Sequence, residues 1–148
     1  MRSTEGIRGY RKALLYAGSV AALAGAGTAV ASSASAAVVH HPAVVAVATA
    51  MQESELNNLN YGDRDSLGLF QQRPSCGWGT AAQIMNPAYA ADAFLGALAQ
   101  YQSNNPGWAT QPLWASAQAV QKSGYPTAYA QWESQAAQLV QQIVTQVK

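Results

Sequence analysis

Glu53 has the most favourable setting for catalysis among the carboxyl side chains of this sequence. It lies with Ser54 at the end of an apolar run that has helical spacing. The partial negative charge of a helix C-terminus disfavours ionisation of a carboxyl group, and burial against Phe70 or Trp78 has the same effect. Both effects predict a pKa above the roughly 4.3 of a free glutamate, as a general acid near neutral pH requires. The alternative is an ordinary solvated glutamate at a helix end.

Other catalytic arrangements lack the necessary residues. The two histidines, His40 and His41, precede the whole predicted helical region, which argues against a Ser-His-Asp or Cys-His arrangement and against a histidine zinc site. Cys76 is the sole cysteine, so it forms no internal disulfide, and no histidine follows it to activate it. No glycine-rich phosphate loop follows a strand. Carboxylates must therefore carry most of any chemistry, a Ser-Lys pair through Lys122 is the other nucleophilic option, and neither a metal nor an organic cofactor is expected.

Two aspartates are candidates for a second catalytic carboxylate. Asp63 and Asp65 lie on the loop that would face Glu53. Hydrolysis of a glycosidic bond uses a second carboxylate at roughly 6.5–9.5 Å from the acid for inversion, or roughly 5–5.5 Å for retention. The alternative for both aspartates is ordinary turn chemistry, in which Asp is favoured and Arg64 simply pairs with one of them.

Prolines, glycines and apolar periodicity predict a mainly α single domain that positions these groups. Helices are predicted over 42–55, from Asn86-Pro87 through 101, from 112 to 124, and from Pro126 onward. The last of these helices has a predicted buried stripe, made of Tyr129, Trp132, Ala136, Leu139 and Ile143. The composition of residues 57–66 predicts a loop or short hairpin. Residues 68–79 contain too many prolines and glycines to form a long helix or strand.

The first 36 residues have the order of a secretory signal peptide. A basic start precedes the uncharged stretch 13–31 and the small residues Ala34-Ser35-Ala36, so cleavage after Ala36 is expected. The alternative is an uncleaved membrane anchor, since the apolar run is about long enough to span a bilayer. The domain 37–148 has four basic and six acidic residues, a formal charge of −2, which argues against nucleic acid as a partner. A monomer without membrane contact is expected after cleavage.

Three short motifs carry a resemblance to a known family. Glu53-Ser54 is followed by Gly68-Leu69-Phe70-Gln71 and then by Asn86-Pro87. This order and spacing resemble the signature motifs of lysozyme-like lytic transglycosylases and goose-type lysozymes. Residues 61–75 and 77–80 look more narrowly like a group of actinobacterial exported lysozyme-like domains. The resemblance covers about residues 43–133.

The resemblance implies a lysozyme-like α+β fold, with a short loop or β-hairpin beside the cleft, and cleavage of peptidoglycan glycan strands. Glu53 would be the general acid and later the base. The family commonly carries a tyrosine near the acid on a later helix, where this chain has Ala117, which supplies no hydroxyl. The substrate-binding residues expected from the resemblance and from the loop beside the cleft are Ser54, Tyr61, Asp65, Ser66, Gln71, Gln72, Trp78 and Gln118.

The reaction expected first is that of a lytic transglycosylase, which acts on the bond between N-acetylmuramic acid and N-acetylglucosamine. This reaction needs one carboxylate, because the 6-hydroxyl of the substrate itself attacks the anomeric carbon. The alternatives are a muramidase that uses Asp63 or Asp65 as the second carboxylate, and a non-catalytic wall-binding module of the same fold.

Overall fold

The computed structural model describes residues 41–147, and this part of the chain is mainly helical. Its α-helices are α1 (Pro42–Ser54), α2 (Ala81–Ile84), α3 (Pro87–Asn104), α4 (Leu113–Gln121) and α5 (Glu133–Gln146). Short 3-10 turns occupy Pro74–Cys76, Trp108–Thr110 and Ala128–Trp132. The prediction of a mainly α single domain is confirmed. The predicted signal peptide lies outside the described residues.

Helix α1 begins and ends with local caps. Pro42 is its first residue, and the Nδ1 atom of His41 accepts a hydrogen bond from the Ala43 amide at 3.2 Å. At the other end Glu55 adopts a left-handed conformation with φ 50°, and its N–H donates to the Met51 carbonyl at 3.0 Å. Glu53 therefore lies in the last turn of α1, as predicted, although the helix ends at Ser54 rather than at residue 55.

Helix α1 is the centre of the core. Every residue from Ala43 to Met51 is buried, although the helical spacing of the apolar residues indicates one face. This segment has no charged side chain, and all of its residues except Met51 are small or β-branched, a pattern that lets neighbouring elements cover all sides of a helix. Helices α3, α4 and α5 and the 3-10 turn Ala128–Trp132 all pack on it.

Helix α3 begins where the sequence predicts. The side chain of Asn86 accepts from the Ala88 amide at 3.0 Å, and Pro87 is the first helical residue. The apolar face of α3 contributes Phe94, whose ring stacks on Phe70 with centroids 4.8 Å apart. This contact packs the loop that follows α1 against the core.

The loop between α1 and α2 contains a single antiparallel bridge, and no strand forms within residues 41–147. Leu67 and Gln72 exchange backbone hydrogen bonds of 2.9 and 3.0 Å around the turn 68–71. Gly68 has φ +77° at this turn, and a Cβ atom there would lie 2.8 Å from the Ile84 carbonyl oxygen. A glycine is therefore required at this close approach of two backbones. The α+β detail of the expectation reduces to this one bridge.

The last predicted helix begins later than the sequence indicates. Residues Ala128–Trp132 form a 3-10 turn, and regular α-helix starts at Glu133 rather than at Pro126. Gln52 accounts for the tight turn, because its Oε1 accepts from Gln131 Nε2 at 2.9 Å and from Trp132 Nε1 at 2.8 Å. These two bonds hold the turn against the end of α1.

Helix α4 also differs from its prediction, because it ends at Gln121 rather than at residue 124. Lys122 adopts the left-handed conformation with φ 52°, and its N–H donates to the Gln118 carbonyl at 2.8 Å. The short helix α2 was not predicted, and it is held by a capping box between Thr80 and Gln83. Within residues 41–147, no helix is both long and apolar enough to cross a membrane.

Candidate active site

A cleft of about 770 Å³ lies beside the C-terminal end of α1. One wall comes from the loop between residues 63 and 78, and the other from residues 120–124 at the end of α4. Glu53 lines the same cleft. The structure therefore brings the predicted acid and the predicted binding loop to one groove.

Two donors hold the carboxyl group of Glu53. Tyr129 Oη donates to Glu53 Oε1 at 2.7 Å, and the side chain of Gln121 also hydrogen-bonds to this carboxyl. Gln121 Nε2 donates in addition to the Phe70 carbonyl at 2.8 Å. Tyr129 is completely buried, whereas Glu53 is half-buried. The acid is thus fixed from the 3-10 turn before α5 and from the end of α4.

Burial raises the pKa of Glu53 above its ordinary value, and the hydrogen bonds from Tyr129 and Gln121 offset only part of this rise. Burial, together with the neighbouring charge of Glu53, raises the pKa of Tyr129 far above that of an exposed tyrosine. Tyr129 therefore keeps its proton and remains the donor. Burial thus shifts this cleft-facing carboxyl group toward its protonated form, which is the form that a general acid needs.

Ser54 contributes to the site from inside the protein. It is buried, and its Oγ lies 2.7 Å from the Leu69 carbonyl and 3.1 Å from the Ala50 carbonyl. Ser54 is not among the residues that line the cleft. Its hydroxyl joins the end of α1 to the turn 68–71. Ser54 therefore positions the wall of the cleft and does not face a molecule bound there.

Three of the polar residues predicted to bind substrate line the cleft, namely Ser66, Gln71 and Gln72. Gln71 Nε2 lies 3.2 Å from the Gly68 carbonyl and 3.3 Å from the Tyr61 carbonyl. Gln72 is 1% exposed, and its Nε2 donates to the Ala90 carbonyl in α3 at 3.2 Å. Gln72 therefore joins the loop to α3, while Gln71 presents a less buried side chain to the cleft.

The two candidate second carboxylates differ in their surroundings. Asp65 is not among the cleft-lining residues, and both of its oxygens are engaged, by Arg73 Nε at 2.7 Å and by the amide and hydroxyl of Ser75 at 2.8 and 2.9 Å. The Ser75 amide, and then Arg73, depress the pKa of Asp65 well below its usual range. Asp63 lines the cleft with a side chain that is 92% exposed, and Arg64 Nε lies 3.9 Å from it.

The remaining predicted binding residues divide between the cleft and its surroundings. Trp78 lines the cleft and packs against the core. Tyr61 is 68% exposed and does not line the cleft. Gln118 does not line it either, and its Nε2 donates to the Ser123 carbonyl at 2.9 Å. Gln118 therefore braces the wall formed by residues 120–124.

Tyr129 and Gln121 are site residues that the sequence reasoning missed. Tyr129 was assigned to the buried stripe of the last helix, and the structure does bury it. The available signal was the hydroxyl of a tyrosine in a buried stripe, because such a group usually has a hydrogen-bond partner. Gln121 had no comparable signal, since nothing in its local sequence distinguishes it from the other glutamines.

Two carboxyl groups line this cleft, those of Glu53 and Asp63, and proton transfer by Glu53 is a reaction step that the cleft can support. Within residues 41–147 no group of three or more His, Cys, Asp or Glu side chains is placed to hold a metal ion. Cys76 lines the cleft as an exposed free thiol. In its protonated form Glu53, held in place by Tyr129 and Gln121, can donate a proton to an oxygen atom in the cleft and accept one later.

No protein-family profile and no curated protein match this chain.

Proposed function

We propose that this chain is an exported lytic transglycosylase that cleaves peptidoglycan between N-acetylmuramic acid and N-acetylglucosamine. The observation that carries the proposal is the setting of Glu53. Its carboxyl group is half-buried in an open cleft, and burial raises its pKa. Glu53-Ser54 and Gly68-Leu69-Phe70-Gln71, the two motifs of the family resemblance, both contribute to the cleft or to its support.

In the first step, Glu53 donates its proton to the glycosidic oxygen, which leaves with N-acetylglucosamine. In the second step, the carboxylate of Glu53 accepts the proton of the 6-hydroxyl of N-acetylmuramic acid, and that oxygen attacks the anomeric carbon. The product is a 1,6-anhydro end, and no water is consumed. One carboxyl group serves as acid and then as base, so the reaction needs no second carboxylate.

Tyr129 takes the place of the tyrosine that this family commonly carries on the helix corresponding to α4. Its hydroxyl, bound to Glu53 Oε1 at 2.7 Å, comes from the 3-10 turn Ala128–Trp132 instead of from position 117. The matching position, Ala117, is buried in the core. A tyrosine hydroxyl therefore supports the acid in this chain from a different element.

The walls of the cleft suit a hydroxyl-rich polymer. Ser66 and Gln71 offer polar groups from the loop, and Trp78 offers an aromatic side chain. The proposed exported location follows from the order of residues 1–36, and the wall polymer outside the cell is the substrate that such a location gives.

Hydrolysis is the second candidate reaction, and one observation favours Asp63 over Asp65 as its second carboxylate. Asp63 lines the cleft, whereas both oxygens of Asp65 are already hydrogen-bonded to Arg73 and Ser75. A hydrolase would activate water with Asp63 and leave reducing ends. Asp63→Asn is the variant that separates this reaction from transglycosylation.

The test measures release of soluble fragments from peptidoglycan by the purified protein and by Glu53→Gln. Glu55→Gln is the matched control, because it makes the same chemical change two residues away at an exposed side chain. We expect release by the wild type and by Glu55→Gln, with anhydro-muramyl ends in the mass spectrum. Reducing ends would assign the hydrolase, and binding of strands without release would assign the non-catalytic wall-binding module.

A further inference from the structure

Among residues 41–147, one cation that lines the cleft has no carboxylate partner. Arg73 is bound by Asp65 at 2.7 Å, and Arg64 has Asp63 at 3.9 Å. Lys122 lines the opposite wall, and no carboxylate within residues 41–147 lies in ion-pair distance of its ammonium group. Among the described residues, Lys122 is therefore the cleft-lining cation that has no carboxylate at ion-pair distance.

The backbone at Lys122 places this charge in a constrained position. Lys122 follows the last residue of α4 with φ 52° and ψ 42°, a left-handed conformation in which glycine is strongly favoured. A residue with a Cβ atom is disfavoured relative to glycine in this conformation. Glu55 ends α1 in the same conformation outside the cleft, whereas the conformation at Lys122 occurs at a residue that lines the cleft.

The wall that carries Lys122 is braced on both sides of the residue. Gln121 Nε2 donates to the Phe70 carbonyl at 2.8 Å, and Gln118 Nε2 donates to the Ser123 carbonyl at 2.9 Å. The Lys122 amide itself donates to the Gln118 carbonyl at 2.8 Å. Since Gln121 also bonds to Glu53, the same wall holds both the acid and the cation.

We infer that Lys122 is a carboxylate-binding position of the cleft, and that the strands which this protein takes carry a carboxylate close to the cleaved bond. The inference rests on the proposed function, because that function supplies the polymer. A single ammonium group matches a single carboxylate, and its charge draws an anionic strand toward the cleft.

A carboxylate on peptidoglycan has two sources. The peptide stem carries free carboxylates, and removal of the stem by an amidase exposes the carboxylate of the lactyl ether on N-acetylmuramic acid. Both groups offer the same chemistry to Lys122. Strands with intact stems, strands with amidated stems and strands without stems therefore form the three arms of the test.

The test measures strand affinity in a Glu53→Gln background, where cleavage does not remove the ligand. We expect the parent protein to bind carboxylate-bearing strands roughly two- to fivefold more tightly than amidated strands, the range of a partly exposed ion pair. Lys122→Gln and Lys122→Gly should reduce this ratio to about one, and Lys122→Arg should preserve it. The preference should also shrink as the salt concentration rises.

Lys122→Gly is the control for unfolding. Glycine suits this backbone conformation and should raise Tm, so a loss of the affinity preference in this variant reflects the missing charge. A preference for stem carboxylates assigns the peptide as the source, and a preference seen with stripped strands assigns the lactyl group. An affinity ratio that is the same in the parent and in Lys122→Gln for both sources overturns the inference. This readout is separate from fragment release by the wild type, so failure of the proposed function is seen independently.

Discussion

Tyr129 Oη lies 2.7 Å from Glu53 Oε1 and joins the turn before α5 to the last turn of α1. Because Tyr129 is completely buried and its pKa is raised, its hydroxyl is a permanent donor to the carboxyl group. The bond fixes one oxygen of Glu53 and leaves the carboxyl facing the cleft. Catalysis by Glu53 should therefore depend on a residue that does not line the cleft at all.

The first prediction concerns the loss of this hydroxyl. Tyr129→Phe keeps the ring in the core but removes the donor, and since that hydrogen bond lowers the pKa of Glu53, its loss should raise this pKa further. The alkaline limb of the pH–rate profile should move to higher pH. We also expect about a tenfold fall in the maximal rate, because the carboxyl group is less well oriented.

Tyr125→Phe is the matched control, since Tyr125 is 80% exposed and lies four residues before Tyr129. It should leave the pH–rate profile in place. An alkaline limb that is the same in Tyr129→Phe and in the wild type would show that the hydroxyl does not act on Glu53.

The second prediction concerns stability at the acid itself. The folded-state pKa of Glu53 is raised above its ordinary value of 4.5, so the stability linked to its neutral form is present below pH 4.5 and is lost as the pH rises through the raised value. Glu53→Gln removes this loss. The variant should be more stable than the wild type at pH 8 and similar to it at pH 4, as measured by chemical denaturation.

The same variant should lose roughly 10²–10⁴-fold in strand cleavage, the usual contribution of a positioned acid or base. Higher stability together with lower activity is expected when a catalytic carboxyl group is held where burial disfavours its ionised form. Equal stability of the two proteins across this pH range would contradict a raised pKa for Glu53.

Local signals explain which parts of the site were predictable from the sequence. Asn86-Pro87 and Pro42 start their helices through interactions within a few residues, so both starts were predicted. The position of Glu53 in the last turn of α1 followed from the same kind of signal. The turn 68–71 was expected from its resemblance to a family motif, and the structure adds the reason for its glycine, a close approach of two backbones at Gly68.

The contacts that complete the site come from packing between distant segments. Tyr129 and Gln121 reach Glu53 from elements far along the chain, and neither contact leaves a local pattern. The late start of α5 has the same origin, because Gln52 holds Gln131 and Trp132 in a 3-10 turn. Complete burial of α1 likewise depends on how many elements surround it, which periodicity does not reveal.

The third prediction concerns the hydrogen bonds that Asp65 makes within the loop beside the cleft. Asp65 binds Arg73 and Ser75, and its pKa is depressed from the ordinary 3.8. Its contribution to stability is therefore present above pH 3.8 and is lost as the pH falls below that value. Asp65→Asn should lower Tm at pH 7, and the difference from the wild type should disappear in strong acid.

Asp63→Asn is the comparison for this experiment, since Asp63 is 92% exposed and its nearest cation is 3.9 Å away. It should change Tm little at any pH. If both variants lower Tm equally at pH 7, the hydrogen bonds of Asp65 do not hold the loop.

The fourth prediction concerns the close approach at Gly68. Gly68→Ala places a Cβ atom 2.8 Å from the Ile84 carbonyl in a left-handed conformation with φ +77°. The left-handed conformation alone costs roughly 1–2 kcal/mol for a residue with a Cβ atom, and the contact with backbone adds to it. Gly96→Ala is the control, because a Cβ atom there meets nothing within 4 Å, and it should stabilise α3 by about 0.5–1 kcal/mol.

Both glycine variants are measured by denaturant unfolding with the same slope analysis. Gly68→Ala should also reduce strand cleavage, because Gly68 lies in the turn that Ser54 joins to α1 through the Leu69 carbonyl. Full stability of Gly68→Ala would mean that the turn and α2 separate easily.

The fifth prediction concerns the backbone at Lys122, independently of any ligand. Lys122 has φ 52° at the end of α4, where glycine avoids the cost of a left-handed residue. The greater freedom of glycine in the unfolded chain cancels part of that gain, so Lys122→Gly should stabilise the protein by about 0.5–1 kcal/mol. Lys122→Gln keeps a Cβ atom in the same conformation and should leave the free energy of unfolding within about 0.5 kcal/mol of the wild type.

Denaturation of the three proteins side by side separates the backbone effect from the charge, because the charge is lost in both variants and the strain is relieved in one. Equal stability of Lys122→Gly and Lys122→Gln would show that the left-handed conformation at position 122 costs no free energy of folding.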